Sequence, residues 1–475
     1  MRKHIEEILK KWLAPFKGNM PSLYLVGGAV RDYFLARTPK DIDLICQDPE
    51  AIARRLASVQ DAVVVPFLKK ADEPCYRVID RQDKDSFLDL VSMGHHTIDA
   101  NLKQRDFTLN AIAIQVNAGG ILGDIIDPLN GAEDIKRHLI KTTGPDVFVS
   151  DPLRIMRAVR FAAEFEFDIE DTTLFVMAKH SFLLEQTASE RILSELYKIF
   201  SSRRSTFFVK MMDRLGILDV IFPEIIPMKG CRQNSFHHLD VWKHSMSVLE
   251  NCEEIVNNLE KYFGIVSDRV WDNLKSCSRL PLLKISAMLH DVGKPVSRSS
   301  NINTGNITFY DHDKKGSEIA AAISRRLRMS KQDQDFIKTL ILEHMHVFDI
   351  SQLRVRPATR IRWFRKLADD SIPIIILGIS DINGTLGPAS SEARKNDYLN
   401  WSKESVINYY MKIKKQFKRE NLIGGKDLIK LGVSPGRKMG SILKKVREAQ
   451  DLCLIKDRNE ALSLAGKLSS IDLSS

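Results

Sequence analysis

The chain has few cysteines and no long hydrophobic run. Its six cysteines are scattered through 475 residues and none belongs to a C-x-x-C pair, which disfavours both a disulfide framework and a cysteine-based zinc site. No apolar stretch approaches the ~20 residues that a membrane span needs. The start of the chain indicates an amphipathic helix rather than a secretory signal. We therefore expect free thiols, a cytoplasmic location and no membrane partner.

What the chain does contain is typical of a globular protein with several domains. Hydrophobic residues make up 44% of the sequence and charged residues 28%. Lys and Arg exceed Asp and Glu by 71 to 61, which gives a net charge of +10 and a pI near 9.1. This modest excess suits a polyanionic partner such as a nucleic acid, although many basic proteins bind none.

The most informative segment lies within the first fifty residues. An apolar run ends at Gly27 and Gly28, a helix start containing Arg31 follows, and Asp41 and Asp43 come about ten residues later. In a strand, residues i and i+2 point to the same side, so both carboxylates would face one place. Two aligned carboxylates hold Mg²⁺ ions for phosphoryl or nucleotidyl transfer, and glycine lets the backbone approach a triphosphate. The pattern predicts such a transfer site.

The hydrophobic pattern divides the chain into four predicted parts. Residues 1–145 alternate between short β-rich runs and helical stretches, which indicates a mixed α/β domain. Helical periodicity dominates residues 146–225, and residues 226–385 form a second helical region after a boundary rich in Pro and Gly. Residues 386–475 are a basic helical tail. The strands predicted for the first part are Leu23–Val26, Asp41–Cys46, Ala62–Val65, Phe87–Val91 and Ala111–Val116.

Three further segments extend the opening motif. They are Gln104–Ala111, a turn-rich loop from Gly123 to Asp134, and the helix start in Asp151–Phe161. Together with the paired glycines and aspartates, these segments resemble the class II tRNA nucleotidyltransferases, which build the 3′ CCA end of tRNA without a nucleic-acid template, and the related bacterial poly(A) polymerases. The resemblance covers roughly the first 220 residues in order and spacing.

The resemblance implies both a fold and a reaction. The fold would be α+β, with a polymerase β-like nucleotidyltransferase head followed by an all-α neck, an HD-domain body and a helical tail. The cofactor would be Mg²⁺, and the substrates would be CTP, ATP and a tRNA lacking its 3′ CCA end. The tRNA 3′-hydroxyl would attack the α-phosphate of the nucleotide, and pyrophosphate would leave.

Asp151 and Arg154 lie three residues apart at a helix start, so their side chains are neighbours. A carboxylate accepts from the amine of cytosine or adenine, and a guanidinium donates to the ring nitrogen beside it, whereas guanine and uracil present a carbonyl to the carboxylate. The resemblance implies that this pair reads the base and that Arg157 and Arg160 face phosphate or base. The alternative is an N-capping Asp151, with Pro152 at the first helical position and a solvated arginine face.

Further roles follow around the opening motif. The resemblance leads us to expect Arg31 and Arg105 to clamp the triphosphate. Asp89, in a Phe-Leu-Asp-Leu strand, is either a third metal-binding carboxylate or an aspartate on an edge strand. Arg191 and Glu195 are four residues apart in a helix, a spacing typical of a structural ion pair.

The sequence departs from the family pattern in two places. Ser150 stands where a glutamate usually precedes Asp151, and only Leu90–Gln104 separates Asp89 from Arg105. The family typically has a longer, arginine-containing flexible loop in the latter place. That loop helps the base-reading pair to switch from CTP to ATP, and shortened forms tend to add only the two cytidines. The sequence therefore favours a CC-adding member over a complete CCA-adding one, which implies a separate A-adding enzyme.

Histidines gather in the third part of the chain. Seven of the 12 fall at positions 237, 238, 244, 290, 312, 344 and 346. A histidine, a His-Asp dyad and a distant aspartate resemble the HD phosphohydrolase superfamily, which implies a metal site at His244, His290, Asp291 and Asp381. Imidazole and carboxylate ligands suit Mn²⁺, Fe²⁺, Ni²⁺ or Zn²⁺ with a bound water as nucleophile. The alternatives are buried core histidines and a degenerate domain that serves only to bind tRNA.

Two basic regions are candidates for contacts with the tRNA backbone. Glycine-bounded turns at Leu422–Leu428 and Leu431–Gly436, followed by Arg437 and Lys438, resemble the C-terminal signature of the same family. A second cluster of arginines and lysines lies within residues 354–366. A solvated helical face is the alternative for both regions.

The sequence as a whole predicts a tRNA nucleotidyltransferase, with two alternatives. A poly(A) polymerase is disfavoured by the short Leu90–Gln104 segment, because efficient use of ATP is what that shortening should impair. A metal-dependent phosphohydrolase with a vestigial head is disfavoured by the intact pair Asp41 and Asp43.

Overall fold

The computed structural model describes residues 1–16, 20–39, 41–70, 73–94, 96–234, 238–300, 306–385 and 391–471. Within them the chain forms two compact units. One consists of Met1–Glu195 and Met211–Ile221, and the other of Leu196–Lys210 and Phe222–Ser475. His237, a member of the histidine-rich set, lies outside the described residues. The boundaries given above for head, neck, HD region and tail stay predictions.

A mixed seven-stranded sheet lies at the centre of the first unit. Its strands are β1 (Leu23–Val26), β2 (Asp43–Cys46), β3 (Ala62–Lys70), β4 (Glu73–Asp80), β5 (Phe87–Ser92), β6 (Ala113–Asn117) and β7 (Ile121–Ile126). Their order is β3-β4-β5-β2-β1-β6-β7, with β2 and β5 parallel and all other neighbours antiparallel. The central strands β1, β2 and β5 are mostly buried on both faces, which explains their nearly continuous apolar sequences.

Two strands of this sheet are missing from the sequence prediction. β4 contains Pro74 and Arg77, which weaken the apolar alternation of a strand. β7 contains Gly123 and Asp124, which indicate a turn, so the prediction of a turn-rich loop from Gly123 is wrong for its first residues. β7 forms a strand rather than a turn because its pairing with β6 satisfies backbone groups that a turn would leave to water.

Helices surround and follow the sheet. Helix Arg2–Leu13 is amphipathic and buries Leu9 and Trp12. Asp48 caps helix Pro49–Val59, because its carboxylate accepts a hydrogen bond from the backbone amide three residues on. The other α-helices up to residue 221 are Gly28–Phe34, Ile98–Lys103, Gly131–Lys136, Val147–Ser150, Leu153–Phe165, Asp171–His180, Ser189–Ser201, Ser205–Arg214 and Ile217–Ile221. A small parallel pair of strands is formed by Leu139–Ile140 and Asp168–Ile169.

The second unit is helical in its described residues, apart from the short strands Ser299–Ser300 and Ile307–Thr308. Helices Arg279–Leu289 and Ser371–Gly384 are buried over almost their whole length and form its centre. The other α-helices beyond residue 221 are Val241–Asn257, Leu259–Phe263, Ser267–Lys275, Lys294–Ser297, His312–Arg326, Lys331–Glu343, His346–Ser351, Pro357–Leu367, Glu392–Asn408, Lys414–Phe417, Gly425–Lys430, Arg437–Asp451 and Arg458–Ile471.

The last three helices enclose a hydrophobic cluster of their own. Its buried members are Ile423, Leu428, Val433, Ile442, Val446, Ala449, Ile455, Ala461 and Ala465. The glycine-bounded turns at Leu422–Leu428 and Leu431–Gly436 contribute to this cluster, so their apolar residues have a structural role whatever their basic neighbours bind.

The predicted fold class is confirmed: a mixed α+β head is followed by a helical remainder. Among the described residues, no helix combines the length and the apolar character that crossing a membrane requires.

Candidate active site and candidate metal centre

A tight turn at Gly27 organises the candidate active site of the head. Gly27 ends β1 with a left-handed backbone, φ +68°, and helix Gly28–Phe34 begins at the next residue. A Cβ atom at Gly27 would lie 3.1 Å from Nη1 of Arg105 and 3.7 Å from Oδ2 of Asp43. Glycine therefore avoids both backbone strain and crowding here. The turn brings the end of β1, the Arg105 guanidinium and the Asp43 carboxylate to one place.

Charged residues form a row across the middle of the sheet. Asp43 is the partner of Asp89 in the parallel pairing of β2 and β5, and Asp89 is the partner of Arg77 in β4. Partners in adjacent strands point to the same face of a sheet. Ile42 is only 4% exposed, whereas Asp41 and Asp43 on either side of it are more accessible. β2 begins at Asp43 rather than at the predicted Asp41, but this alternation keeps both carboxylates on the side away from Ile42.

Arg77 engages the third carboxylate of the row. Its Nε donates to Oδ1 of Asp89 over 2.8 Å, and its Nη2 donates to Oδ2 over 2.9 Å. These hydrogen bonds hold the pKa of Arg77 above its usual value. β5 lies between β4 and β2, so the alternative of an edge-strand aspartate is wrong. Asp89 therefore binds the guanidinium of Arg77 beside Asp41 and Asp43. To contact a metal ion directly, Asp89 would have to lose part of its hydrogen bonding with Arg77.

The two arginines expected at the triphosphate share Asn110 as a partner. Arg31 donates to the Asn110 side-chain oxygen over 3.1 Å and to the neighbouring aspartate over 2.8 Å, and its guanidinium lies 4.7 Å from the ring centre of Phe165. Arg105 donates from Nη1 to the Asn110 carbonyl over 3.3 Å. Arg105 is thus the arginine that lies beside Asp43, while Arg31 is fixed against the ring of Phe165.

Arg154, the predicted base-reading arginine, is only 9% exposed and is bound by neutral acceptors. Its Nη1 donates to the Ser150 hydroxyl over 3.2 Å and to the Val147 carbonyl over 3.4 Å. Its Nη2 donates to the Gln104 carbonyl over 3.2 Å. These bonds use three of the five N–H donors of the guanidinium. Ser150, which stands in place of the usual glutamate, therefore gives Arg154 a hydroxyl partner instead of a carboxylate.

Asp151 lies in extended backbone just before helix Leu153–Phe165. Its carboxylate accepts from the first amide of that helix over 3.3 Å, which is a capping contact. It also accepts from Arg191 at 2.9 and 3.3 Å. Arg160 donates to Glu195 over 2.5 Å. Arg191 therefore pairs with Asp151, just before helix Leu153–Phe165, and Glu195 pairs with Arg160, within that helix. These contacts replace the predicted ion pair between Arg191 and Glu195.

Arg157 and Arg160 each contact a buried carboxylate. Arg157 donates to Oδ2 of Asp106 from Nε over 2.9 Å and from Nη2 over 2.6 Å. Burial alone would raise the pKa of Asp106, but the charge of Arg157 outweighs it and holds that pKa below the usual range. The side chain of Arg157 keeps 34% exposure and that of Arg160 only 11%. Arg157 is therefore more accessible than Arg160 for the predicted contacts with phosphate or base.

The short Leu90–Gln104 segment contains the end of β5 and helix Ile98–Lys103 among its described residues. Helix Ile98–Lys103 is capped by a threonine at its N-terminus and buries Leu102 in the hydrophobic cluster of the sheet. Gln104 follows the last residue of this helix, and its carbonyl accepts from Arg154. The segment therefore joins the sheet to the predicted base-reading arginine. Sequence reasoning gave no sign of this link, because a backbone carbonyl has no residue signature.

Six buried side chains of the second unit converge at one point, and we call them the histidine cluster. Each is at most 9% exposed. Three separate helices, and the ends of two others, supply these residues, which makes their convergence a property of the fold rather than of local sequence. The members are His244 on helix Val241–Asn257, His290 and Asp291 after Arg279–Leu289, His312 at the start of His312–Arg326, His344 after Lys331–Glu343, and Asp381 on Ser371–Gly384.

Backbone carbonyls fix the orientation of three imidazoles in the cluster. Nδ1 of His290 lies 2.9 Å from the Ala287 carbonyl, and Nδ1 of His312 and of His344 lie 2.8 and 2.6 Å from the carbonyls three residues before them. A carbonyl can only accept, so each Nδ1 carries the proton and donates it. The lone pair is then on Nε2, which is the arrangement that metal-binding histidines use.

The cluster consists of two groups of potential ligands. One contains His244, His290 and Asp381, and the other contains Asp291, His312 and His344, with the ligand atoms of each group within 4.8 Å of one another. Four of the six are the predicted metal ligands. His312 and His344 belong to the same ordered set of histidines in the sequence; His312 lies between Asp311 and Asp313, whereas His344 has no adjacent aspartate.

Burial and neighbouring charges shift the pKa values within the cluster. Burial, together with His290 and His312, lowers the pKa of His344 to about 4, so this imidazole is neutral near pH 7. Burial alone would raise the pKa of Asp291, but His290 and Lys294 outweigh it and hold that pKa well below the usual range. A neutral His344 and an ionised Asp291 are in the states that bind a cation. His290 is shifted the other way: burial alone would lower its pKa, but the charge of Asp291 outweighs burial and raises it, so a cation bound there would displace a proton.

The donor set of the cluster fits a divalent transition metal. It offers up to four imidazole nitrogens and two carboxylates, which suit Mn²⁺, Fe²⁺, Ni²⁺ or Zn²⁺. The carboxylates Asp41 and Asp43 of the head are hard oxygen donors and fit Mg²⁺.

A cavity of about 560 Å³ lies against the histidine cluster. Asp291, His312 and Asp381 are part of its wall. The rest of the wall combines aromatic, apolar and charged side chains, and its charged members include the acidic Asp311, Asp313 and Glu392 as well as cations. The aromatic and cationic members suit an organic phosphate ester. Its aromatic and cationic members include Lys294, Phe309, Tyr310, Phe348, Arg394 and Lys395.

Three consecutive parts of the chain match known families. Residues 23–141 match the "Poly A polymerase head domain", residues 166–229 match the "Probable RNA and SrmB- binding site of polymerase A", and residues 241–378 match the "HD domain".

Curated relatives and solved structures span nearly the whole chain. An "A-adding tRNA nucleotidyltransferase" of Deinococcus radiodurans is 29% identical over 455 residues, covering 94% of this chain and 95% of the relative. A "CC-adding tRNA nucleotidyltransferase" of Thermus thermophilus is 28% identical, covering 92% and 91%. Among solved structures, the Thermotoga maritima CCA-adding enzyme complexed with tRNA has a TM-score of 0.62 at 21% identity, covering 98% and 95%. That likeness is one of fold.

The fold and these matches define a nucleotidyltransferase head that is followed by an HD domain. The chain is similar over nearly its whole length to tRNA nucleotidyltransferases, and its head matches a model described for poly(A) polymerases.

Proposed function

We propose that this protein adds cytidines from CTP to a tRNA that lacks its 3′ CCA end. One observation carries the proposal: Asp43, with Asp41 beside it, lies at the Gly27 turn next to Arg105. Carboxylates beside a cation and a glycine turn suit a metal-bound triphosphate. The relatives named for tRNA nucleotidyl addition support the same conclusion. We also propose a cytoplasmic location, where uncharged tRNA is processed.

Each residue of the head has a proposed task. Asp41 and Asp43 hold Mg²⁺, which when bound neutralises charge on the triphosphate. Arg105 and the backbone at Gly27 and Gly28 bind phosphate oxygens. Arg31 is assigned to the same triphosphate, for which it exchanges one of its present contacts. The tRNA 3′-hydroxyl forms the new bond to the α-phosphorus, and the bond to the pyrophosphate oxygen breaks.

Base selection is assigned to Asp151 and Arg154, with Arg157 and Arg160 beside them. The carboxylate of Asp151 accepts from the cytosine amine, and the remaining donors of Arg154 bind the adjacent ring nitrogen and carbonyl. Arg191 tethers Asp151, and Arg154 is held on two sides, so the pair is preorganised.

The fixed position of Arg154 supports restriction to CTP. A change from cytosine to the larger adenine requires the base-reading pair to move. Arg154 is bound to the carbonyl of Gln104, and the preceding helix Ile98–Lys103 is anchored in the sheet by Leu102. Such a movement would break this contact. We therefore propose addition of CC, with a separate enzyme adding the terminal A.

A second candidate is addition of the terminal A alone. The observation in its favour is the 29% identity with the A-adding relative of Deinococcus radiodurans, slightly above the 28% with the CC-adding relative of Thermus thermophilus. A difference this small does not outweigh the anchored Arg154.

A primer-extension experiment at single-nucleotide resolution distinguishes these activities. Three tRNA transcripts, ending before the first C, after one C and after CC, are each given CTP, ATP or both. We expect addition that stops at CC even when ATP is present. Completion to CCA would contradict the argument from Arg154, addition only to the CC-ended transcript would favour the A-adding candidate, and runs of A on unrelated RNA would indicate a poly(A) polymerase.

We propose a second, metal-dependent phosphohydrolase activity for the HD domain. The observation that carries it is the histidine cluster, which opens on a cavity of about 560 Å³ whose wall includes aromatic side chains and the cations Lys294, Arg394 and Lys395. A metal ion at His244, His290, Asp291 and Asp381, when bound, activates water as a nucleophile. Lys294 binds the phosphate of the ester from the wall of the cavity.

Phosphatase assays with an aryl phosphate test this second activity. We expect hydrolysis by the metal-loaded protein with Mn²⁺ or Ni²⁺, and loss on the order of 10²-fold or more in Asp291→Asn, because that carboxylate faces both ligand groups. Asp313→Asn, on the same cavity wall but outside the cluster, is the matched control. Equal activity in Asp291→Asn and the parent would contradict the proposal.

A further inference from the structure

We propose that Arg77 binds the last phosphodiester of the tRNA, the one that joins its two 3′-terminal nucleotides. The inference rests on the nucleotidyl transfer proposed for the head, and it adds a residue for the attacking strand to those assigned to the nucleotide. It is carried by the row of charges across the sheet and by the side from which the 3′-hydroxyl must approach.

The strand order places Arg77 and Arg105 on opposite sides of Asp43. One neighbour of β2 is β1, which ends in the Gly27 turn beside Arg105, and the other is β5, which contains Asp89. Arg77 lies one strand further, in β4. Its backbone is therefore about 10 Å from that of Asp43, at a strand spacing of about 4.8 Å. Asp43 thus has one guanidinium on each side of it.

The geometry of the reaction assigns these two sides to different substrates. An in-line displacement requires the attacking and the leaving oxygen to lie on opposite sides of the α-phosphorus. The triphosphate is assigned to Arg105 and the Gly27 turn, so pyrophosphate leaves on the β1 side of Asp43. The 3′-hydroxyl then enters from the side of β5 and β4. The phosphodiester that precedes this hydroxyl is the nearest anion of the tRNA, and Arg77 presents a cation to it.

The guanidinium of Arg77 is anchored on one edge and open on another. Its Nε and Nη2 donate to the two oxygens of Asp89, whose side chain is only 3% exposed. These bonds use two of its five N–H donors. Within the part of the chain that the structure describes, Nη1 makes no hydrogen bond, and the Arg77 side chain is 36% exposed. A fork held by a buried carboxylate and open to solvent is preorganised for a phosphate.

Aromatic packing fixes the direction of this side chain. Cζ of Arg77 lies 4.0 Å from the ring centre of Phe87 and 5.6 Å from that of Phe67. Hydrogen bonds with Asp89 raise the pKa of Arg77, and the negative charge of Asp41 acts in the same direction. Arg77 is therefore a fixed cation within the electric field of the paired aspartates, unlike a mobile arginine of the surface.

Partly exposed apolar side chains lie beside Arg77 on the same face of the sheet. Val65 is its partner in β3, and Val63 and Ile79 follow two residues along their strands. Val63 and Val65 are 41% and 42% exposed. The carbon atoms of a sugar and base can pack on this surface while the phosphate binds the cation. The combination suits the end of an RNA strand better than a free inorganic anion.

Substrates with one neutral linkage test the inference. Two tRNAs that end after one C carry a methylphosphonate, which removes the charge of one phosphodiester, at the last or at the penultimate linkage. For the parent, the neutral last linkage should lower kcat/KM for tRNA roughly 10- to 100-fold and leave KM for CTP unchanged. Arg77→Gln keeps an amide for Asp89 but loses the cation. It should show a similar fall on unmodified tRNA and no further fall on the neutral last linkage.

Two comparisons make this result specific. The neutral penultimate linkage should lower the rates of the parent and of Arg77→Gln by the same factor. Arg81→Gln changes an arginine with 63% side-chain exposure just beyond β4, and it should behave as the parent toward every substrate. Arg77→Lys, which should keep part of the parent's sensitivity to the last linkage, replaces Arg77→Gln if that variant does not fold. If the losses from Arg77→Gln and from the neutral last linkage multiply, the inference is wrong and Arg77 serves only as a partner of Asp89.

Binding measured without CTP separates the inference from the proposed function. Fluorescence anisotropy gives Kd for the same tRNAs. A Kd that depends on the charge of the last linkage in the parent but not in Arg77→Gln, without any nucleotide addition, would contradict only the proposed activity. A parent that binds none of these tRNAs would contradict both.

Discussion

Asp41→Asn and Asp43→Asn should each lose nucleotide addition by on the order of 10³-fold. Removal of one charge from a carboxylate that holds the catalytic cation costs several kcal/mol of transition-state stabilisation, and about 1.4 kcal/mol corresponds to each tenfold change in rate. Asp43 is expected to show the larger loss, because it lies in β2 beside the Gly27 turn, whereas Asp41 precedes the strand. Extension of a tRNA transcript by CTP, measured in single turnovers, gives the rate.

Two controls make this result specific. Asp61→Asn changes an exposed aspartate of the same unit, with 58% side-chain exposure, and should extend tRNA at the parent rate. Hydrolysis of the aryl phosphate should persist in all three variants, since Asp41 and Asp43 lie outside the HD domain. Nucleotide addition that survives in both site variants would contradict the assigned role and favour a different set of metal ligands.

Arg154→Lys should weaken selection of CTP while leaving the fold intact. Lysine keeps the charge but loses the planar fork that binds two acceptors together. A bidentate contact with a base edge contributes about 1–3 kcal/mol of discrimination, so preference for CTP over UTP should fall roughly 5- to 150-fold. The ratio of kcat/KM values for CTP and UTP measures this effect, with KM for CTP rising more than kcat falls.

A control must show that the fall in preference for CTP comes from position 154 and not from the loss of any arginine. Arg137→Lys replaces an exposed arginine of the same unit and should keep the parent preference. Thermal unfolding shows whether the lysine at position 154 disturbs helix Leu153–Phe165, within which the side chain is buried. An unchanged preference in a folded Arg154→Lys would assign base selection to other residues, of which Asp151 is the first candidate.

Sequence reasoning succeeded where short patterns determine local structure. The apolar run before Gly27, and the run of Phe87–Val91, correspond to central strands, because strands buried on both faces are continuous apolar segments. The left-handed turn at Gly27 follows from two consecutive glycines. The HD dyad at His290 and Asp291 was readable because its members are adjacent in sequence.

The contacts that sequence reasoning missed join residues that are far apart along the chain. Arg77 appeared as one charge among many, and only the register of β4 with β5 brings it to Asp89. The carbonyl of Gln104 has no signature in a sequence, although it holds Arg154. His312 was visible as a histidine but not as a ligand, because tertiary packing alone places it beside Asp291.

The two ligand sets of this chain have different chemical preferences. The paired aspartates of the head offer only hard oxygen atoms, which suit an abundant ion that a cell keeps at steady concentration. The imidazole-rich set of the HD domain suits scarce transition ions, for which proteins compete. Starvation for transition metals would therefore silence the phosphohydrolase activity that we propose for the HD domain and spare the proposed nucleotide addition, so the ratio between the two would report the nutritional state of the cell.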